Sequence, residues 1–280
     1  MMNYEHALKI VAENVAYLQK KQDVLDPLGR GQTEELAYLM AQITEDPEDR
    51  EELHRIWSEA LSVVNGRMDP AELAKSYYAA LKPKRRERQN AGDVTSICYL
   101  RNRGSDGAFD HFTLHLPKVR AIYASGHEEA LENCYDEYSD ACILPFSDPE
   151  RGLHTGFRSM IARYGLKIQS MVRVENREGT ALDLVLLRRE VAIPAQTCYL
   201  AVTLPLSDGT SLAEPLRAAG CYGLCSDCIM RLPELYASAD SYDLHFYGKS
   251  EAIEQYLFYL ALTHPRYDLL GIYQKERENI

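Results

Sequence analysis

The chain has 280 residues, 46% hydrophobic and 26% charged, with a net charge of −11. That is the composition of a folded protein with room for two or three domains, and its acidity argues against nucleic acid or an anionic membrane as a partner, since both attract Lys and Arg. The opening Met-Met-Asn-Tyr-Glu-His lacks a signal peptide's basic and apolar regions, no apolar run reaches bilayer length, and seven irregularly spaced cysteines read as reduced thiols, so a cytoplasmic location is expected.

The first ninety or so residues read as helical. Leu8, Val11, Val15 and Leu18 recur at helical spacing, as do Leu53, Ile56, Trp57, Ala60, Leu61 and Val64. Asp69-Pro70-Ala71-Glu72 predicts a further helix start: Asp69 caps, Pro70 suits the first position, and Glu72 completes a capping box. The polar, basic stretch Lys82–Gly92 reads as a solvated helix end and linker.

From Val94 short strands alternate with helices. Val94–Leu100, Val119–Ala124, Ala141–Pro145, Lys167–Val174 and Ala181–Leu187 are strand-like, and Glu128–Tyr138 and Leu153–Tyr164 are helix-like. This alternation predicts βαβ units in a largely parallel sheet. The last eighty-odd residues follow another order. Strand Thr197–Leu206, a helix capped by Ser211, strands Leu224–Met230 and Tyr242–Tyr247, helix Glu251–Leu262 and strand Tyr267–Tyr273 make a ferredoxin-like βαββαβ unit. In its third strand Tyr242, Leu244 and Phe246 face one way, and Asp243 and His245 the other.

Three stretches together resemble the prephenate dehydratase family. Gly104-Ser105-Asp106-Gly107-Ala108-Phe109-Asp110-His111 is similar to that family's Gly-Pro-x-Gly-Thr-Phe-Ser-His loop. Pro145-Phe146-Ser147-Asp148, with Gly152 beyond, stands where the family has Pro-Ile-Glu-Asn-Ser, and Leu270-Gly271-Ile272-Tyr273 matches the closing Leu-Gly-x-Tyr strand of its regulatory ACT domain. The N-terminal part resembles a chorismate mutase, through Arg50-Glu51 at the opening of a helix, the turn Asn65–Pro70, and Gln89. The resemblance implies an α+β multidomain protein of phenylalanine biosynthesis: a helical mutase-like domain over 1–90, one periplasmic-binding-like α/β lobe over 93–190, and an ACT domain over 195–280. ACT and mutase-like domains both imply a homodimer, and no cofactor or metal is expected.

The departures from the family bear on mechanism. Only 34 residues separate Ser147 from Thr180, both included, too few for a second lobe when one βαβ unit takes about 30. The family's Thr-Arg-Phe appears as Thr180-Ala181-Leu182, without the arginine that would help hold prephenate's carboxylates. Its ACT Gly-Ala-Leu loop appears as Thr210-Ser211-Leu212, and its Glu-Ser-Arg-Pro as Met230-Arg231-Leu232-Pro233. The resemblance thus nominates Arg50, Glu51, Gln89 and Thr180 as catalytic positions and Gly104, Gly107, His111, Ser147, Thr210, Ser211, Leu212 and Arg231 as ligand-binding ones. The leading expectation is a homologue without dehydratase activity that binds an aromatic amino acid or a chorismate- or prephenate-type molecule. The alternatives are a working chorismate mutase and a non-catalytic partner-binding protein.

Cys221-x-x-x-Cys225-x-x-Cys228 has the spacing of a radical-SAM iron–sulfur motif, but only 52 residues follow Cys228, too few for a barrel. An offset of three on a strand also sends Cys225 and Cys228 to opposite faces, against chelation. His111 and His115 are four apart with no third ligand evident.

Overall fold

The computed structural model describes residues 54, 57–58, 69–81, 94–116, 118–148, 152–153, 160–175, 181–190, 197–206, 211–232 and 240–276. Arg50, Glu51, Gln89, Thr180 and Thr210 lie outside the described residues, as do the helical stripe over 8–18 and the linker 82–92.

Helix α1 (Pro70–Leu81) starts where the sequence predicts, with Asp69 Oδ1 accepting the Ala71 N–H at 2.8 Å. Strand β1 (Ser96–Leu100), helix α2 (Arg103–Thr113), strand β2 (Arg120–Ala124), helix α3 (His127–Tyr135) and strand β3 (Ala141–Asp148) follow, and β1 pairs in parallel with both β2 and β3. The two-residue strand β4 (Gly152–Leu153) folds back on β3. The helix expected over 153–164 is therefore strand at its start and helical at 160–163, with 154–159 outside the described residues.

Strands β5 (Lys167–Glu175) and β6 (Ala181–Arg188) form an antiparallel hairpin, and β6 inserts beside β3, antiparallel to it. The lobe is thus mixed where a largely parallel sheet is expected. A hairpin forces its second strand to run backwards, and only a crossover would have kept the two parallel.

Strand β7 (Thr197–Leu206), helix α4 (Ala213–Cys221), strands β8 (Cys225–Arg231) and β9 (Asp240–Lys249), helix α5 (Ser250–Thr263) and strand β10 (Asp268–Glu276) complete the chain. Their sheet order is β10-β7-β9-β8, antiparallel at every pair. Gly223, at φ 80, makes the left-handed turn that ends α4, and the Leu224 N–H returns to the Ala219 carbonyl at 3.0 Å.

The two sheets are continuous. β10 pairs in parallel with β5, giving the order β2-β1-β3-β6-β5-β10-β7-β9-β8. One face of the lobe packs Ile97, Ile143, Val172 and Leu184 against Ala108 and Phe112 of α2. The other packs Cys142, Leu144, Val185 and Leu187 against Leu131 and Cys134 of α3, and it runs on through Ala201 and Tyr273. On the opposite side of the ferredoxin-like half, Leu200, Val202, Leu244 and Phe246 meet α4 and α5, and Trp57, Leu73 and Ala74 cover those helices. The Tyr222 hydroxyl donates to the Ala71 carbonyl at 2.9 Å, and Asp69 ion-pairs with Arg217 of α4. Helix α1 and Trp57 are therefore docked on the C-terminal unit.

Candidate functional site

In sheets of this kind ligands collect outside the carboxyl ends of parallel strands. At the end of β1, Asn102 accepts the Ser105 N–H at 2.9 Å and donates to the Leu100 carbonyl at 3.2 Å, capping α2. The segment read as a glycine loop is thus the first turns of a helix. Asn102 satisfies an orphan N–H, and Asp106 lies in the first turn, where the helix dipole favours a negative charge. Gly104 is buried and Gly107 exposed. A Cβ on Gly104 would lie 3.4 Å from Asn102 Oδ1 and 3.8 Å from Val174, both ordinary contact distances, so this buried position has room for a methyl group. Beneath it the Tyr99 hydroxyl donates to Asp106 at 3.1 Å. Burial and this carboxylate hold the phenol's pKa well above the usual range. His111 lies seven residues past Gly104, about 10 Å along the helix axis, against Phe112. The structure does not bring it to the helix start.

Ser147 lies at the end of β3, past a register shift, and pairs with Asp183 of β6. Asp183 also stands opposite Arg173 of β5, which grips it with two hydrogen bonds of 2.7 and 3.0 Å. These bonds raise the guanidinium's pKa further. The Arg173 side chain remains 59% exposed against 12% for Asp183, so the cation faces solvent. Asp183 shares a face with Val185, two residues on. The same face continues into the ferredoxin-like half and carries four polar side chains there. Thr203 donates to Asp243 at 2.6 Å, and His245 Nδ1 is 2.9 Å from the Tyr273 hydroxyl. All four are buried. Burial pushes the Tyr273 phenol well up, with Asp227 and Asp183 among the charges acting on it.

The sheet coils strongly enough for the ring of Phe146, near the end of β3, to lie 5.8 Å from the His245 ring on β9. The concave face thus gathers a guanidinium, buried carboxyl groups, an imidazole, a phenol and an aromatic ring. Sequence reading missed Arg173, Asp183, Thr203 and Tyr273. It placed Asp243 and His245 together on the face opposite Tyr242, Leu244 and Phe246 without singling them out, and both are buried. The available signal lay in the hairpin. Pairing the β5 and β6 segments antiparallel about the midpoint between them brings Arg173 opposite Asp183, as the register has it.

Ser211, Leu212 and Arg231 converge at one end of the ferredoxin-like unit, where β7 and β8 both finish and α4 begins. Ser211 Oγ accepts the Ala213 N–H at 3.2 Å, and Leu212 packs against the helical core. Arg231 is exposed opposite Tyr242. This end is separate from the concave face. Among the described residues no group of three or more His, Cys, Asp or Glu could hold a metal ion, and no helix is long and apolar enough to cross a membrane.

No model of a known protein family matches the chain, and no curated protein matches it. A solved prephenate dehydratase from Streptococcus mutans is similar in structure, with a TM-score of 0.53 and 17% identity over 66% of this chain and 100% of that one. The likeness is one of fold. A prephenate dehydratase from Arthrobacter aurescens solved in complex with L-Phe gives a TM-score of 0.49 at 15% identity, over 64% of this chain and 90% of that one. GqqA, described as a novel type of quorum-quenching acylase, gives 0.47 at 14%, over 65% and 96%.

Proposed function

We propose that this chain is a cytoplasmic, homodimeric, prephenate dehydratase-like protein without dehydratase activity, which binds an aromatic amino acid or a related pathway intermediate. Its C-terminal βαββαβ unit acts as an ACT-like regulatory domain and its N-terminal segment is mutase-like. The observation that carries this reading is the concave polar face, where Arg173 and Asp183 of the lobe share a surface with His245 and Tyr273 of the ferredoxin-like unit. A zwitterionic amino acid needs a cation for its carboxylate, an anion or carbonyl for its ammonium, and an apolar wall for its ring. Arg173, the buried carboxyl groups and Phe146 supply these groups. Dehydration with decarboxylation demands more, because both prephenate carboxylates must be held while hydroxide departs. Only 34 residues run from Ser147 to Thr180, where one βαβ unit takes about 30, and this shortage of chain supports the absence of an opposing lobe.

Thermal unfolding with phenylalanine, tyrosine, tryptophan, chorismate and prephenate added separately tests the reading. A ligand specific for the folded state, at a hundred times its dissociation constant, adds about 2.7 kcal/mol. A raised Tm with an amino acid and no phenylpyruvate formed from prephenate is the expected result. Turnover of prephenate would overturn the loss of dehydratase activity, and turnover of chorismate would establish a working mutase. The absence of any shift would leave the partner-binding alternative.

A further inference from the structure

Cys225 and Cys228 lie three residues apart on β8, a spacing that sends side chains to opposite faces of a regular strand. β8 is not regular there. Cys225 pairs with Tyr247, Ser226 with Phe246 and Cys228 with His245, and the register shifts between Ser226 and Cys228. Three steps of β8 therefore span two steps of β9, and Asp227 is the extra residue of a β-bulge. Tyr247 and His245 share a face of β9, so the two cysteines opposite them share that face as well. The expectation that the cysteines diverge is thereby reversed.

A second contact agrees with this placement. Asp227 ion-pairs with Lys275, whose ammonium lies 4.3 Å from the centroid of Tyr199. Tyr199 stacks beside both Tyr247 and Tyr273, at 4.8 and 5.6 Å. The bulge thus turns its extra side chain onto the same face. Positions two ladder steps apart on one face are separated by roughly 6.5–7 Å, at the outer end of the Cα separations that a disulfide spans. Among the described residues β8 is the last strand of the sheet order, paired on one side alone. Its backbone can close the remaining gap without breaking a second ladder.

We propose that Cys225 and Cys228 form a dithiol that a small-molecule disulfide oxidises to an intrachain disulfide. Cys225 is exposed and Cys228 half-buried, so Cys225 is the entering thiol and Cys228 the resolving one. The Cys225 thiolate attacks one sulfur of the small disulfide, forms a mixed disulfide and expels one thiolate. The Cys228 thiolate then attacks Cys225 Sγ and expels the other. The protein loses two protons and two electrons, and the oxidant takes them up and leaves as two thiols. Burial, with Asp227 beside it, raises the Cys228 pKa, which slows the second step and makes it the place to trap the intermediate. The competing thiols are separated by structure. Cys98, Cys134, Cys142 and Cys198 are buried. Cys221 ends α4, in the helical layer on the opposite face of the sheet.

The test treats the whole chain with oxidised glutathione, blocks residual thiols and measures the mass of the tryptic peptide 218–231, which contains Cys221, Cys225 and Cys228. Wild type and Cys221→Ser are expected to lose two hydrogens in this peptide. Cys225→Ser is expected to keep its thiols, and Cys228→Ser to accumulate one glutathione at Cys225. Ring closure in Cys228→Ser but not in Cys221→Ser would assign the bond to Cys221 and Cys225 and overturn the proposal. So would a persistent glutathione adduct without closure in wild type. A melt of each variant matching wild type establishes that the result reads chemistry rather than unfolding.

Discussion

Gly271 of β10 lies against the backbone of Ile168 in β5, so close that a Cβ on the glycine would sit 2.6 Å from the Ile168 nitrogen and 2.7 Å from its Cβ. This contact is where the lobe's sheet becomes the ferredoxin-like sheet, and the ladder on both sides of β10 is irregular at that residue. Gly271→Ala is expected to destabilise the protein by about 2 kcal/mol or more, because backbone must move to admit the methyl group. Gly248→Ala meets the end of the flexible Leu224 side chain instead and is expected to cost less. Urea unfolding of the two variants measures the difference.

Arg173 and Asp183 are expected to separate binding from stability. The Arg173 side chain is 59% exposed but its partner Asp183 is buried, so removing the two hydrogen bonds is expected to cost about 1–3 kcal/mol of folding free energy and leave the protein folded. Arg173→Ala is nevertheless expected to abolish the Tm increment given by an aromatic amino acid, since it removes the cation facing the concave surface. Calorimetric titration of wild type and variant is the check. Unchanged affinity in a folded Arg173→Ala protein would remove this face as the binding site.

Asp140 concentrates four hydrogen bonds on one oxygen. The N–H and hydroxyl of Thr95 and of Ser96 all donate to Oδ2, at 2.8–3.1 Å. Burial acts to raise the pKa of this carboxyl, but the four donors outweigh it and the net shift is downward. A carboxylate with a lowered folded pKa stabilises above its unfolded pKa and loses that contribution as pH falls through the folded value. Asp140→Ala is expected to lower stability by about 2 kcal/mol at neutral pH, with the gap to wild type closing in acid. Chemical unfolding across pH 7 to pH 2 follows this directly.

His264 gives a different acid dependence. Burial, with His54 nearby, lowers its pKa from 6.5 to about 4. The folded state prefers the neutral ring, so the unfolded chain takes up a proton first as pH falls. Stability is expected to drop between pH 6.5 and about 4, by on the order of 3 kcal/mol at most. His264→Gln is expected to flatten that window of the stability curve while leaving the Asp140 dependence below it.

Strand and helix positions in the last eighty-odd residues were almost entirely legible in the sequence. Thr197–Leu206 is strand over the span its alternation predicts, and α5 differs from its expected range by one residue at each end. These elements have one buried face set by local periodicity, and periods of two and 3.6 can be read within a few turns. The start of α1 was legible for the same reason, because a cap acts over two or three residues. The segment 104–111 misled because its glycines suggest a loop. The capping oxygen of Asn102 favours a helix there.

The amino-acid sequence by itself determined the start of α1 and the strand and helix order from Thr197 onward, both of which follow from local pattern. Only the tertiary structure decided that β10 joins β5, that Asp183 stands between Ser147 and Arg173, and that Phe146 reaches His245 across four intervening strands. In a flat sheet the last two would lie about 24 Å apart. Strand register and sheet coiling arise from contacts between segments far apart in the chain, so no window of sequence contains them.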